Sequence, residues 1–237
     1  KEDEYLYIVN YYGQIAEDVI RMKIKKHSNI ILDNTQSFFQ KSFSDIDTIY
    51  SCRKYFGVPD GAYLSTDVAL NEILEEDKSS SRMKHILGRF EGQASDYYNE
   101  FIKNDEAFKE LPIKRMSKLT RNILGAIDYQ KVIDTRNRNF KYLHDCLGSS
   151  NVLEIKLPHG PFSYPFYVKN GIVVRKALAE KKIYIPTLWP NVLKENFEDS
   201  IEYDYATNIL PLPCDQRYGI DDMKRIIIEI NNLTRRV

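Results

Sequence analysis

Short apolar runs and one amphipathic stretch alternate over the first third of the chain. Tyr5–Val9 is rich in β-formers and ends at Tyr11-Tyr12-Gly13, which reads as a strand and a turn. Ile15, Val19, Ile20, Met22 and Ile24 then recur at roughly helical spacing. Lys23, Lys25 and Lys26 close that stretch, where cations suit the carbonyl end of a helix. Asn29–Leu32 and Asp47–Tyr50 are the second and third apolar runs. Strand, helix and strand at this spacing predict a βαβ unit with a right-handed crossover and parallel strands. Gly57-Val58-Pro59-Asp60-Gly61 is turn chemistry, Ala62–Thr66 returns as a strand, and Asp67 is placed to cap a helix running to about Glu76.

Beyond the polar break at Ser79-Ser80-Ser81 the pattern is helical from Arg82 to Phe108. Met116–Leu147 is the longest helical stretch, carrying Leu119, Ile123, Leu124, Ile127, Val132, Ile133, Phe140 and Leu143, with Gly148 to close it. Short strands follow at Val152–Ile155 and Phe162–Val168, then a helix over Ile172–Glu180. Further strands are expected near Ile183–Ile185 and Asn208–Leu210, and an amphipathic helix over Asp221–Leu233 ends the pattern. This order predicts an α/β domain with a mostly parallel sheet over residues 1–120. A smaller α+β domain over residues 121–237 follows, with the boundary inside the long helix.

Composition narrows the classes of function. Hydrophobic residues make up 43% and charged residues 29% of the 237, enough apolar material for a sizeable core. Lys+Arg and Asp+Glu balance at 34 each, so no global field draws in nucleic acid or an anionic membrane. Cys52, Cys146 and Cys214 are an odd set without metal-ligand spacing, which fits a reducing, cytoplasmic setting. The four histidines are far apart and predict no metal site. No apolar run approaches the ~18 residues that span a bilayer, and the opening Lys-Glu-Asp-Glu is unlike a secretory signal.

One segment stands out chemically. Ile30-Ile31-Leu32 delivers Asp33 to the end of a strand, and Lys54 follows in the turn Ser51-Cys52-Arg53-Lys54-Tyr55-Phe56-Gly57. Pyridoxal phosphate needs two such groups, a lysine to bond its aldehyde and an acid to meet its pyridinium nitrogen. Ligands of open parallel sheets bind beyond the carboxyl ends of the strands, where Asp33 and Ser51 are both expected. A burial-lowered pKa, helped by the Arg53 charge, would favour the nucleophilic amine of Lys54. Plainer readings exist for each residue: an Asx turn for Asp33, a surface position for Lys54, a packing role or a substrate-facing wall for Trp189, and solvated or paired positions for Arg136 and Arg138.

These residues resemble the DegT/DnrJ/StrS-type nucleotide-sugar aminotransferases, within the aspartate-aminotransferase-like fold. Asp33 matches the family's pyridinium partner, Gln36 the residue beside the cofactor ring, Ser51 the phosphate-contacting serine and Lys54 the cofactor-bonding lysine. The likeness continues through Tyr11-Tyr12-Gly13-Gln14, Tyr164-Pro165-Phe166, Ile183-Tyr184-Ile185-Pro186 and Leu210-Pro211-Leu212-Pro213, so it spans most of the chain. Ala62 departs from the pattern where the family has a second glycine, and the step from Ser51 to Lys54 is shorter than the commonest spacing.

The family's segment before the first strand, which supplies the backbone nest for the cofactor phosphate, has no counterpart here. The resemblance therefore implies the C-terminal part of a large domain followed by a small α+β domain. The expected activity is a PLP-dependent aminotransferase acting on a keto-sugar nucleotide in surface polysaccharide biosynthesis. Glutamate is the expected amino donor and a homodimer the expected assembly, with no nucleic acid or membrane partner. Two rivals remain. One is a non-catalytic remnant that binds no cofactor. The other is a PMP-dependent sugar dehydratase, against which Lys54 argues because histidine replaces that lysine there. The chain as it stands is expected to expose an unpaired strand edge, to self-associate and to hold the cofactor weakly.

Overall fold

Four strands form the sheet of the first half of the protein, whose computed structural model describes residues 4–195 and 197–234. β1 (Leu6–Val9), β2 (Ile30–Asp33) and β3 (Asp47–Ser51) run parallel, and β4 (Ala62–Ser65) is antiparallel to β3, in the order β1-β2-β3-β4. Helix α1 (Glu17–Ile24) makes the crossover between β1 and β2. Its Ile20 is fully buried with Ile30, Leu32, Phe43 and Ile46, and Leu6 and Ile8 pack against the same cluster. Alternation along a strand sends the remaining side chains to the opposite face. Tyr7, Val9, Ile31 and Asp33 therefore share that second face, with Val9 in register with Asp33 and Asp33 with Ile49.

The chain divides into two compact units. The first runs through Asn10 and resumes over Ile15–Asp128; the second takes Tyr11–Gln14 together with the chain from Tyr129 onward. The first unit is completed by α2 (Lys84–Glu91), α3 (Tyr98–Glu110) and α4 (Lys118–Gly125). The long helix expected over Met116–Leu147 is broken at Ala126–Asp128, and the units separate there rather than at 120. The helix expected after Asp67 does not form. Val68, Leu70 and Ile73 are 67–100% exposed, so a helix there would bury no face, and packing is what sustains short helices. The segment instead runs extended, with Arg115 N donating to Glu75 O (2.8 Å) and Asp77 N to Arg115 O (2.9 Å). Asp67 accepts from Asp45 N at 3.2 Å.

The second unit holds α5 (Tyr129–Leu147), β5 (Ser163–Tyr167), α6 (Gly171–Glu180), α7 (Val192–Glu195), α8 (Ile201–Asn208), β6 (Ile209–Pro213) and α9 (Ile220–Thr234). β5 and β6 pair antiparallel, and Phe140, Leu143, Tyr164, Leu178, Leu212 and Met223 are among its core residues. Two expected strands are absent. Around Val152–Ile155 side chains claim the backbone: Asn151 accepts from Leu153 N, while Gln14 donates to Lys156 O (3.0 Å) and accepts from Lys156 N (2.8 Å). Ile183 and Ile185 are buried with Tyr184 exposed, a strand-like alternation, yet Ile183 N bonds back to Leu178 O at the end of α6. Arg136 takes the paired alternative. It is buried, donating to Gln216 and to the carbonyls of Pro161 and Phe162. Trp189, at φ +52°, packs edge-on to Tyr11 with ring centres 4.8 Å apart and lines a cavity of about 660 Å³ with Tyr12, Leu188, Tyr205 and Ile209.

Candidate active site

The carboxyl rim of the parallel strands is fastened by amide side chains before any reactive group appears. Asn10, just past β1, donates to Asn34 (3.0 Å) and Gln40 (2.9 Å) and accepts from Ile15 N (3.0 Å). Backbone bonds extend the ladder, from Asn10 N to Asp33 O and from Asn34 N to Ile49 O. Asp33 is thereby fixed at the end of β2. Its Oδ1 accepts from Thr35 N and its Oδ2 from Tyr7 OH, both at 2.8 Å. The first contact is the Asx turn that Asp-Asn-Thr suggests. The second is a cross-strand contact on the shared sheet face.

Lys54 rides on a turn closed by Tyr55 N and Phe56 N donating to Cys52 O and by Cys52 N donating to Gly61 O. Aromatic rings join this turn to the loop after β2. Phe38 meets Phe56 edge-on at 5.0 Å, and Phe39 meets Tyr55 at 5.7 Å. Helices hold its other side. Arg53 bonds Asp105 of α3 at 3.0 Å and lies 4.2 Å from the Phe108 ring centre, while Asn104 donates to Pro59 O. Asp60 caps the approach of α4, accepting from Ser117 N (2.8 Å), Ser117 OH (2.9 Å) and the Thr120 hydroxyl. Gly61, at φ +108°, lets the chain turn there; a Cβ would come within 3.0 Å of Thr120 Cγ2.

The two predicted groups meet through one residue. Lys54 Nζ donates to Thr35 Oγ1 at 3.2 Å, and Thr35 N donates to Asp33. Lys54 is exposed at the rim, with its amine bonded to Thr35. Loss of water lowers its pKa from the ordinary lysine value; the negative charge of Asp33 opposes this and the Arg53 cation adds to it. Gln36 is buried in the loop after β2, and Ser51 ends β3 opposite Ala62. The sequence reading missed Tyr7, Thr35 and Asp60. Strand alternation could have placed Tyr7 on the Asp33 face, whereas no local pattern pairs Asp60 with Ser117.

The donor set suits the ring end of pyridoxal phosphate: a fixed carboxylate and a lysine amine of lowered pKa share one rim. Among the described residues no group of His, Cys, Asp and Glu could hold a metal ion, and no helix is long and apolar enough to cross a membrane.

No protein-family model matches the chain, and no curated protein matches it. Solved structures do. A DegT DnrJ EryC1 StrS aminotransferase from Brucella abortus is 14% identical with a TM-score of 0.54, covering 95% of this chain and 63% of its own length. A sugar aminotransferase from Streptococcus pneumoniae in its PLP form is 14% identical with a TM-score of 0.60, over 98% of this chain and 69% of that one. The E. coli GDP-4-keto-6-deoxy-D-mannose-3-dehydratase with bound hydrated PLP is 15% identical with a TM-score of 0.55, over 95% and 66%. The chain thus has the fold of the PLP-dependent aminotransferases. The neighbours with that fold include sugar aminotransferases and a dehydratase, and the chain spans 63% of the length of the Brucella aminotransferase.

Proposed function

We propose that this chain is the acid- and lysine-bearing part of a PLP-dependent aminotransferase that acts on a keto-sugar nucleotide. The observation that carries this reading is the chain of contacts Asp33–Thr35–Lys54 on the carboxyl rim. The sugar aminotransferases among its structural neighbours support it. When bound, pyridoxal phosphate supplies an aldehyde for an amine and a ring that takes up the electrons of a breaking Cα–H bond. Asp33 would hold a proton on the ring nitrogen, and its own orientation is fixed by Tyr7 and Thr35. Lys54 would supply the amine that meets the aldehyde and would hold and return the proton of the carbon bearing the amino group. Gln36 would lie beside the ring and Ser51 would meet the phosphate. Glutamate is the amino donor, the intact enzyme is a homodimer, and the product feeds surface polysaccharide synthesis.

The test is direct. Pyridoxal phosphate is added to the protein, borohydride fixes any adduct, and peptides are mapped by mass. The adduct is expected on Lys54; Lys54→Ala should lose it, while Lys84→Ala and Lys118→Ala should keep it. An adduct that survives Lys54→Ala sinks the proposal.

A further inference from the structure

We infer that Thr35 is a positioning residue for Lys54, its hydroxyl holding the lysine amine beside Asp33; this rests on the aminotransferase reading above. A lysine side chain on an open rim gives up ~2 kcal/mol of rotamer freedom when it is held in one place, so some partner must hold it. The partner here is neutral. Lys54 Nζ reaches Thr35 Oγ1 at 3.2 Å, while both oxygens of Asp33 accept from other donors, Tyr7 OH and Thr35 N. The hydroxyl is itself well placed. Threonine is stiff at χ1, and the Thr35 backbone is tied to the Asp33 carboxylate at 2.8 Å.

This division of labour has a chemical consequence. A carboxylate bonded directly to the amine would stabilise the ammonium and suppress its nucleophilicity. A hydroxyl fixes the nitrogen in space with a much smaller charge penalty. Asp33 stays close enough to favour the cation, while each of its oxygens accepts one bond, from Tyr7 or the Thr35 amide, and keeps a further lone pair for another donor. Thr35 thus separates the two charged groups and sets the spacing between them.

The experiment follows adduct formation with pyridoxal phosphate in the full chain, as wild type, Thr35→Val and Thr35→Ser. In the trapped reaction the amine nitrogen bonds the aldehyde carbon, water leaves, and borohydride delivers hydride to the resulting C=N bond. Rates at Lys54 and at Lys84, an internal reference, are read by mass over a range of pH. Thr35→Val is expected to lower the high-pH plateau at Lys54 roughly tenfold, as a misplaced reactive group does. It should also move the pH midpoint down, because burial of the ammonium loses its compensating bond. Thr35→Ser should restore both. Lys84 should not change in either variant.

A Thr35→Val protein with wild-type plateau and midpoint overturns the inference and leaves the aminotransferase reading standing. Wild-type Lys54 reacting no faster than Lys84 overturns both. Circular dichroism checks that Thr35→Val is folded, and if it is not, Thr35→Ala is read by the same criteria.

Discussion

Asp60 shows how much of the site depends on a residue that touches no reacting atom. It is 2% exposed, and burial alone would raise its pKa; the bonds from Ser117 N–H and the Thr120, Ser79 and Ser117 hydroxyls outweigh that and hold it below the ordinary carboxylate value. A depressed folded-state pKa contributes stability that is complete above the unfolded value, about 3.9, and is lost as pH falls through the folded value. Asp60→Asn should therefore cost about 2 kcal/mol at neutral pH, by the usual worth of bonds to a charged group. It should also flatten the loss of stability on acidification below about pH 4, as followed by urea titration across pH. An unchanged acid slope would show that another carboxylate sets it. At this scale the sequence was a partial guide. The placement of Asp33 and Lys54 on one rim was legible because each follows a strand or turn whose pattern is local. Thr35 and Tyr7 act through a hydrogen bond of one hydroxyl each, and hydroxyl side chains carry no pattern that separates such a partner from an ordinary turn or strand residue.

Elements were legible where burial and periodicity agreed, as in β1, α1, β2 and β3, and misread where a pattern had no surface to pack on or where the backbone bonded locally instead. The apolar residues after Asp67 imitate a helix but remain exposed, and Ile183–Ile185 imitates a strand while its backbone closes α6. α8 was missed altogether, since Ile201–Asn208 has little amphipathic contrast and announces itself mainly through the Ser200 cap, which accepts from Tyr203 N at 3.2 Å. The start of α6 depends on a close approach. A Cβ on Gly171 would lie 2.5 Å from Thr207 O and 2.7 Å from Asn208 Cα, both backbone atoms that cannot swing aside. Gly171→Ala should cost about 2 kcal/mol through overpacking. The loss should appear in denaturant curves of the second unit, with adduct formation at Lys54 unaffected under native conditions. A variant as stable as wild type would mean that the α6 start is free to shift.

At the scale of the whole molecule, the chain is two units with separate cores, one built on a mostly parallel sheet and the other on the β5–β6 pair. In the first, β1 is the terminal strand of the sheet order among the described residues, with Tyr5 and Tyr7 67% and 52% exposed. The fold class could be read from the order of patterns, while the division after Asp128 depends on a helix break that no glycine–proline pair marks. Two cores permit two unfolding events, and the expected denaturant profile has distinct midpoints when followed by different probes. The protein carries the means to tell them apart. Its single tryptophan, Trp189, sits in the cavity of the second unit, against Tyr11 and Tyr12. Emission excited selectively at that indole reports the melting of one half of the molecule, while the reactivity of Lys54 reports the other. Coincident midpoints would show that the halves melt as one. Nature has thus left the chain with an optical label on one unit and a chemical label on the other, and no engineered dye is needed to watch them part.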